Sequence, residues 1–233
     1  MFKQIMSKHI RQMLKRFHYK DTLEVGIDEA GRGPVIGPLV VCAFATKNLS
    51  ELAELGVRDS KDLSKKRREE IYASLVKMPH SIIICPPERI DCHHNLNDLE
   101  VELFAEALAI MPPGETMLDA CDVNAERFAR NVTQKSGRIC MAEHGADSNH
   151  LEVGAASIIA KVTRDREIDE LAKEIGFDIG SGYPSDPKTK AAVKILVKGD
   201  TPHDCLRWSW KTTSDAWGGS PPPRPSESQQ TLF

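Results

Sequence analysis

The apolar run Leu23, Val25 and Ile27 leads into two adjacent carboxylates, Asp28 and Glu29, and then into Gly31-Arg32-Gly33-Pro34, and this junction constrains the chain more than any other stretch. Alternating apolar residues read as a strand, which the glycines and proline bring to a stop. Neighbouring side chains of a regular strand face opposite ways, so Asp28 and Glu29 can serve one site only if the strand ends or twists there. The glycines let backbone approach a ligand closely, and Arg32 can fork two hydrogen bonds to a phosphate. Taken alone, an acidic pair before a turn reads more readily as a solvated pair, so the rest of the chain has to decide.

Further apolar runs at 35–46, 80–85, 116–119 and 138–142 read as strands, and 62–77, 97–110, 124–135, 152–174 and 188–198 carry helical periodicity. Strands come first and then alternate with helices, which suits an α/β fold with a mixed sheet covered by helices on both faces. Val153, Ala156, Ile159, Ala160 and Thr163 form a small-residue seam on one helix, where Lys161 and Asp165 are spaced for an i,i+4 ion pair. The organisation expected is a basic extension at 1–22, a main domain at 23–187, a shorter helical stretch at 188–217 and a flexible tail at 218–233.

The chain has 233 residues, and no apolar run in it approaches the ~20 residues of a membrane span. Residues 1–20 are basic and amphipathic without the apolar centre of a secretory signal, so a cytoplasmic protein is expected. Six cysteines stand without a Cys-x-x-Cys pair, which argues against structural zinc, and Asp91-Cys92-His93-His94 reads as a loop with incidental ligand types. A net charge of −3 gives no global pull toward nucleic acid. Any such binding falls to local basic stretches: Lys3 to Lys20 at the start, or Arg58, Lys61, Lys65, Lys66, Arg67 and Arg68.

Gly26-Ile27-Asp28-Glu29-Ala30-Gly31-Arg32-Gly33-Pro34 resembles the signature of ribonuclease HII, the type 2 ribonuclease H, and Val35-Ile36-Gly37-Pro38 is similar to its archaeal branch. Val57–Lys61, Asp119–Phe128, Ala155–Asp165 and Gly180–Pro187 agree with the family in order and spacing, so the resemblance covers residues 23–213. It implies a ribonuclease H-like fold with a small C-terminal helical appendage. The implied activity is metal-dependent hydrolysis of the RNA strand of RNA–DNA hybrids and nicking of duplex DNA 5′ of embedded ribonucleotides, leaving 3′-hydroxyl and 5′-phosphate ends.

Carried over by position, the four family carboxylates fall on Asp28, Glu29, Asp119 and Asp147, as both catalytic and metal-binding residues. Such a cluster repels itself unless a cation neutralises it, and oxygen ligands favour Mg²⁺ or Mn²⁺, two ions by the resemblance. Asp122 reads instead as the cap of the helix at 124–135. Gly145 stands where archaeal relatives carry lysine, and His144 reads equally as an aid to product release or a loop cap. Substrate contacts are implied at Gly31, Arg32, Gly33, Ser60, Lys61, Lys161, Arg164 and Tyr183, with the glycine loop reading a 2′-hydroxyl and Tyr183 stacking on the next, deoxy sugar. Behind the proline-rich tail, Gln229, Leu232 and Phe233 are similar to peptides that dock on the replication sliding clamp, though the chain stops short of the full pattern. The chain is expected to be a monomer.

Overall fold

The computed structural model describes residues 23–58 and 60–224; the N-terminal basic stretch, Asp59 and the clamp-like peptide Gln229, Leu232 and Phe233 lie outside the described residues. Five strands, β1 (Leu23–Ala30), β2 (Leu39–Thr46), β3 (His80–Cys85), β4 (Gly114–Asp119) and β5 (Cys140–Glu143), form one sheet in the order β3-β2-β1-β4-β5. β1, β2 and β3 are antiparallel neighbours, while β4 and β5 run parallel to β1. This is the mixed sheet expected.

Around it lie α1 (Leu49–Leu55), α2 (Lys65–Leu75), α3 (Pro87–Cys92), α4 (Leu96–Ala109), α5 (Ala125–Ser136), α6 (Ala146–Asn149), α7 (Leu151–Ile175), α8 (Pro187–Leu196) and α9 (Lys211–Trp217). α4 and α5 cover one face, packing Leu99, Leu103, Phe104, Phe128 and Val132 on Val25, Ile27, Val41 and Ala43. α7 crosses the other face with Ala155, Ala156, Ile159 and Ala160 against Val40, Cys42 and Phe44, and α1 and α2 close over it. At Gly26 the approach is so close that a Cβ would sit 2.2 Å from the Glu152 carbonyl carbon. A small-residue seam is what permits that contact.

Several boundaries differ from the sequence reading. The seam on α7 widens into burial on every side from Glu152 to Ala160, because α7 is wedged between the sheet and the α1/α2 layer. The run at 35–46 yields a strand only from Leu39, since Gly37 adopts φ +84° and breaks it. Val35 and Ile36 instead take amide bonds to the Gly182 carbonyl and join a separate apolar cluster with Ile168, Ile179, Val193, Leu206 and Trp208. α1, α3 and α9, each six or seven residues long, carry too little periodicity to be read in advance. The tail does not leave the body freely at residue 218. Arg224 lies over the Trp208 ring at 4.2 Å and bonds Asp91, Asp204 and the Leu206 carbonyl.

No helix among the described residues is long and apolar enough to cross a membrane.

Candidate active site

β1 and β4 are parallel neighbours with Ile27 opposite Leu118, so Asp28 and Asp119, one residue further along each strand, come to adjacent strand ends. Asp119 Oδ1 accepts the Ala146 N–H at 2.8 Å, which ties the start of α6 to the end of β4. Gly145, at φ +67°, makes the tight turn that delivers Asp147 into the first turn of α6. Carboxylate oxygens of Asp28, Asp119 and Asp147 lie within 4.8 Å of one another. Asp28 and Asp147 are buried and Asp119 is half-buried.

Glu29 goes the other way. β1 stays hydrogen-bonded to β2 through Glu29 opposite Val41 and Ala30 opposite Val40, and the intact ladder preserves the alternation of faces. The two side chains thus leave opposite faces of the strand, yet the Glu29 carboxyl keeps a hydrogen-bonding contact with Asp28 and lies near enough to Asp119 to feel its charge. Asp28 lies on the α7 side and Glu29 on the α4 side, where the Cys121 thiol donates to Glu29 Oε2 at 3.2 Å. Glu29, Glu100 and Cys121 make a second group with donor atoms within 4.8 Å.

Burial is the largest cause of every carboxyl shift here. It pushes Asp28 well above the usual carboxylate range, with Glu29 and Asp119 adding repulsion and a Ser157 hydrogen bond opposing. Glu29 is raised by burial, against its Cys121 bond, and Asp119 by burial, against the Ala146 N–H. Glu100, fully buried, is pushed up to about 8 by burial and by Glu29, with Arg32 opposing. Desolvation dominates these shifts and neighbouring negative charge adds to it, so a bound cation would relieve them.

The residues expected to meet substrate divide into two sets. Gly33 is exposed beside Tyr183, whose ring edge would lie 3.8 Å from a Cβ there. Lys61 Nζ sits 3.3 Å from Asp147 Oδ2 on a largely exposed side chain, and Lys161 makes the expected ion pair with Asp165 at 2.6 Å. Arg32, expected to fork onto phosphate, turns its fork inward onto Glu100 and Asn97 Oδ1. Ser60 is buried with its hydroxyl 2.9 Å from Ser157 Oγ, so it stands behind Asp28 rather than facing solvent. Arg164 is likewise buried: it bonds the Ser181 carbonyl and lies 5.1 Å from the centre of the Tyr183 ring, bracing that residue from within. Gly31, at φ +100°, is packed so tightly that a Cβ would meet the Arg164 side chain at 2.6 Å.

Asp122 is not the helix cap. Asn124 accepts the Arg127 N–H at 2.9 Å and caps α5, whereas Asp122 accepts from Asn124 N and pairs with the Arg127 guanidinium. His144 is exposed. Asp91 and Cys92, expected in a loop, end α3, and the Asp91–His94 segment separates into unrelated contacts: Asp91 binds Trp208 N, Ser209 and Arg224, while His93 faces Glu102.

Sequence reasoning missed Arg207. Fully buried, it bonds the Gly31, Arg32 and Gly37 carbonyls and so fastens the glycine loop to the appendage. It also missed Glu100, although a glutamate among Leu96, Leu99, Leu103 and Phe104 on the apolar face of α4 was a legible signal.

The protein-family model described as Ribonuclease HII matches residues 25–213. The chain belongs to the ribonuclease HII family. A Methanocella arvoryzae ribonuclease HII is 46% identical over 205 residues, 82% of this chain and 89% of that relative. The crystal structure of ribonuclease H2 from Pyrococcus horikoshii superposes with a TM-score of 0.78 at 40% identity, over 84% of this chain and 97% of that one. The RNase HII in a PCNA:RNase HII complex from Archaeoglobus fulgidus gives 0.76 at 40%, over 81% and 95%. Membership makes the chain a hydrolytic endonuclease of a family that acts on the RNA of RNA–DNA hybrids, and its acidic clusters suit the divalent-metal dependence of such enzymes.

Proposed function

We propose that the chain hydrolyses the RNA strand of hybrids and nicks duplex DNA on the 5′ side of embedded ribonucleotides, leaving 3′-hydroxyl and 5′-phosphate ends. One observation carries this reading: Asp28 on β1, Asp119 at the end of the parallel neighbour β4 and Asp147 in the first turn of α6 bring oxygens within 4.8 Å of one another, and β1 runs on into the glycine loop flanked by Tyr183. The donor set is all oxygen, and its repulsion, felt in the raised Asp28 and Asp119 carboxyls, fits Mg²⁺ or Mn²⁺. Asp28, Asp119 and Asp147 would hold such ions, two in all, with Glu29 joining from the other side of the strand. When bound, the ions supply Lewis acidity and charge neutralisation at a phosphate.

The chain's own residues do the rest. Gly31–Gly33 offers backbone donors and acceptors to a 2′-hydroxyl, and Tyr183, braced by Arg164, offers its ring to the following deoxy sugar. Lys61 and Lys161 bring positive charge to the phosphates on either side. The tail residues Gln229, Leu232 and Phe233 dock on a sliding clamp, a reading supported by the Archaeoglobus complex. The experiment is cleavage of three matched duplexes: an RNA–DNA hybrid, DNA with one ribonucleotide, and all-DNA. Cuts 5′ of the ribonucleotide, with the all-DNA duplex intact, are expected. Equal cutting of all three would overturn the reading.

A further inference from the structure

Glu29, Glu100 and Cys121 bring two carboxylates and a thiol together on the α4 side of β1, with Glu29 also in contact with the Asp28 carboxyl. Two observations raise this above a chance cluster of acids. Glu100 is fully buried, and its Oε1 has no hydrogen-bond partner among the described residues, while Arg32 takes Oε2. The Cys121 sulfur already lies 3.2 Å from Glu29 Oε2.

We propose that this trio is a binding site for a soft divalent cation of the zinc type, and that occupancy withholds Glu29 from the productive ions and so inhibits cleavage. The size fits. A tetrahedral ion with bonds of about 2.0–2.3 Å holds its ligand atoms roughly 3.3–3.7 Å apart, so the trio needs only slight contraction. The chemistry selects: a thiol ligand favours Zn²⁺ or Cd²⁺ over Mg²⁺, whereas the all-oxygen group across the strand favours the reverse. Charge balances as well, since Arg32 is offset by Glu100 and a dication is offset by Glu29 and the thiolate. On binding, the sulfur–metal bond forms as the thiol proton leaves to solvent, with no change of oxidation state.

The inhibitory half rests on the proposed function; the binding half does not, because it can be read in a protein that cleaves nothing. Cd²⁺ is titrated into the full chain in the presence of excess Mg²⁺, following the ultraviolet thiolate-to-cadmium absorption. A single saturable step is expected, lost in Cys121→Ser, shifted to at least about tenfold higher Cd²⁺ in Glu100→Gln, and retained in Cys92→Ser, which removes the exposed thiol beside His93. In parallel, the Zn²⁺ concentration that halves hybrid cleavage, measured against each variant's own zinc-free rate, is expected to rise at least about tenfold in Cys121→Ser. An unchanged absorption in Cys121→Ser, or its loss in Cys92→Ser, would overturn the site. A normal absorption with equal zinc sensitivity in wild type and Cys121→Ser would overturn the inhibition and leave the proposed nuclease activity untouched.

Discussion

Buried charge is handled in opposite ways at the two ends of the glycine loop. At the carboxylate end, Asp28, Glu29 and Asp119 crowd together and burial raises all three, with Arg32 and Lys61 opposing only in part. At the appendage end, Arg164 and Arg207 are buried with no carboxylate on their guanidinium groups among the described residues, yet carbonyl oxygens of Gly31, Arg32, Ile36, Gly37 and Ser181 receive them. Aromatic faces complete the shell, Tyr183 for Arg164 and Trp210 for Arg207. Both lie under desolvation, which lowers Arg207 to about 9. The difference separates a region left electrostatically unsatisfied, ready for a cation, from one whose charges are spent on holding the chain in place.

The sharpest way to break that contrast is Arg207→Met, which keeps bulk but strips three carbonyls of their donors. It is expected to cost about 3–5 kcal/mol, lowering the melting temperature by roughly 10 °C. A loss below about 1 kcal/mol would mean that water replaces the arginine and that the clasp is ornamental. At the other end Asp28→Asn is expected to do the reverse: turnover falls by more than about 100-fold, while the metal-free protein melts at the same or a higher temperature because repulsion is relieved. A marked fall in melting temperature would show that Asp28 is as structural as Arg207.

Arg224→Ala tests how far the clasp extends. It removes the contacts to Asp91, Asp204, the Leu206 carbonyl and the Trp208 ring, and is expected to destabilise by about 1–2 kcal/mol with little change in turnover on short duplexes. Equal melting of the variant and the wild type would show that residues beyond Trp217 add nothing to the body.

The smallest effect is a pH drift. Carboxyls whose folded pKa is raised hold protons that the unfolded chain releases, so their contribution is fully present below the ordinary carboxylate range and lost as pH rises through the raised values. For Glu100 that window runs from 4.5 to about 8. In chelator, the melting temperature is expected to fall by a few degrees between about pH 5.5 and about pH 8.5, and added Mg²⁺ to flatten the slope. A slope unchanged by Mg²⁺ would assign it to charges away from the strand ends.

Much of the architecture was legible because periodicity reports local burial directly. The strands at 80–85 and 140–143 and the helices at 65–75, 96–109, 125–136 and 151–175 follow apolar patterns visible in the chain. The pairing of Asp28 with Asp119 and Asp147 was accessible only through spaced motifs, since a carboxylate's neighbours from distant strands leave no local trace.

By itself, then, the sequence determined the family and the α/β layering, because motif spacing and residue periodicity are written along the chain. Tertiary structure decided what those residues face. The unbroken β1–β2 ladder sends Glu29 to Glu100 and Cys121, the α4 helix captures Arg32, and the carbonyl-rich loop draws in Arg164 and Arg207. Each outcome depends on the side of a strand or the partner of a buried charge, and those are set by long-range packing rather than by the neighbours in sequence.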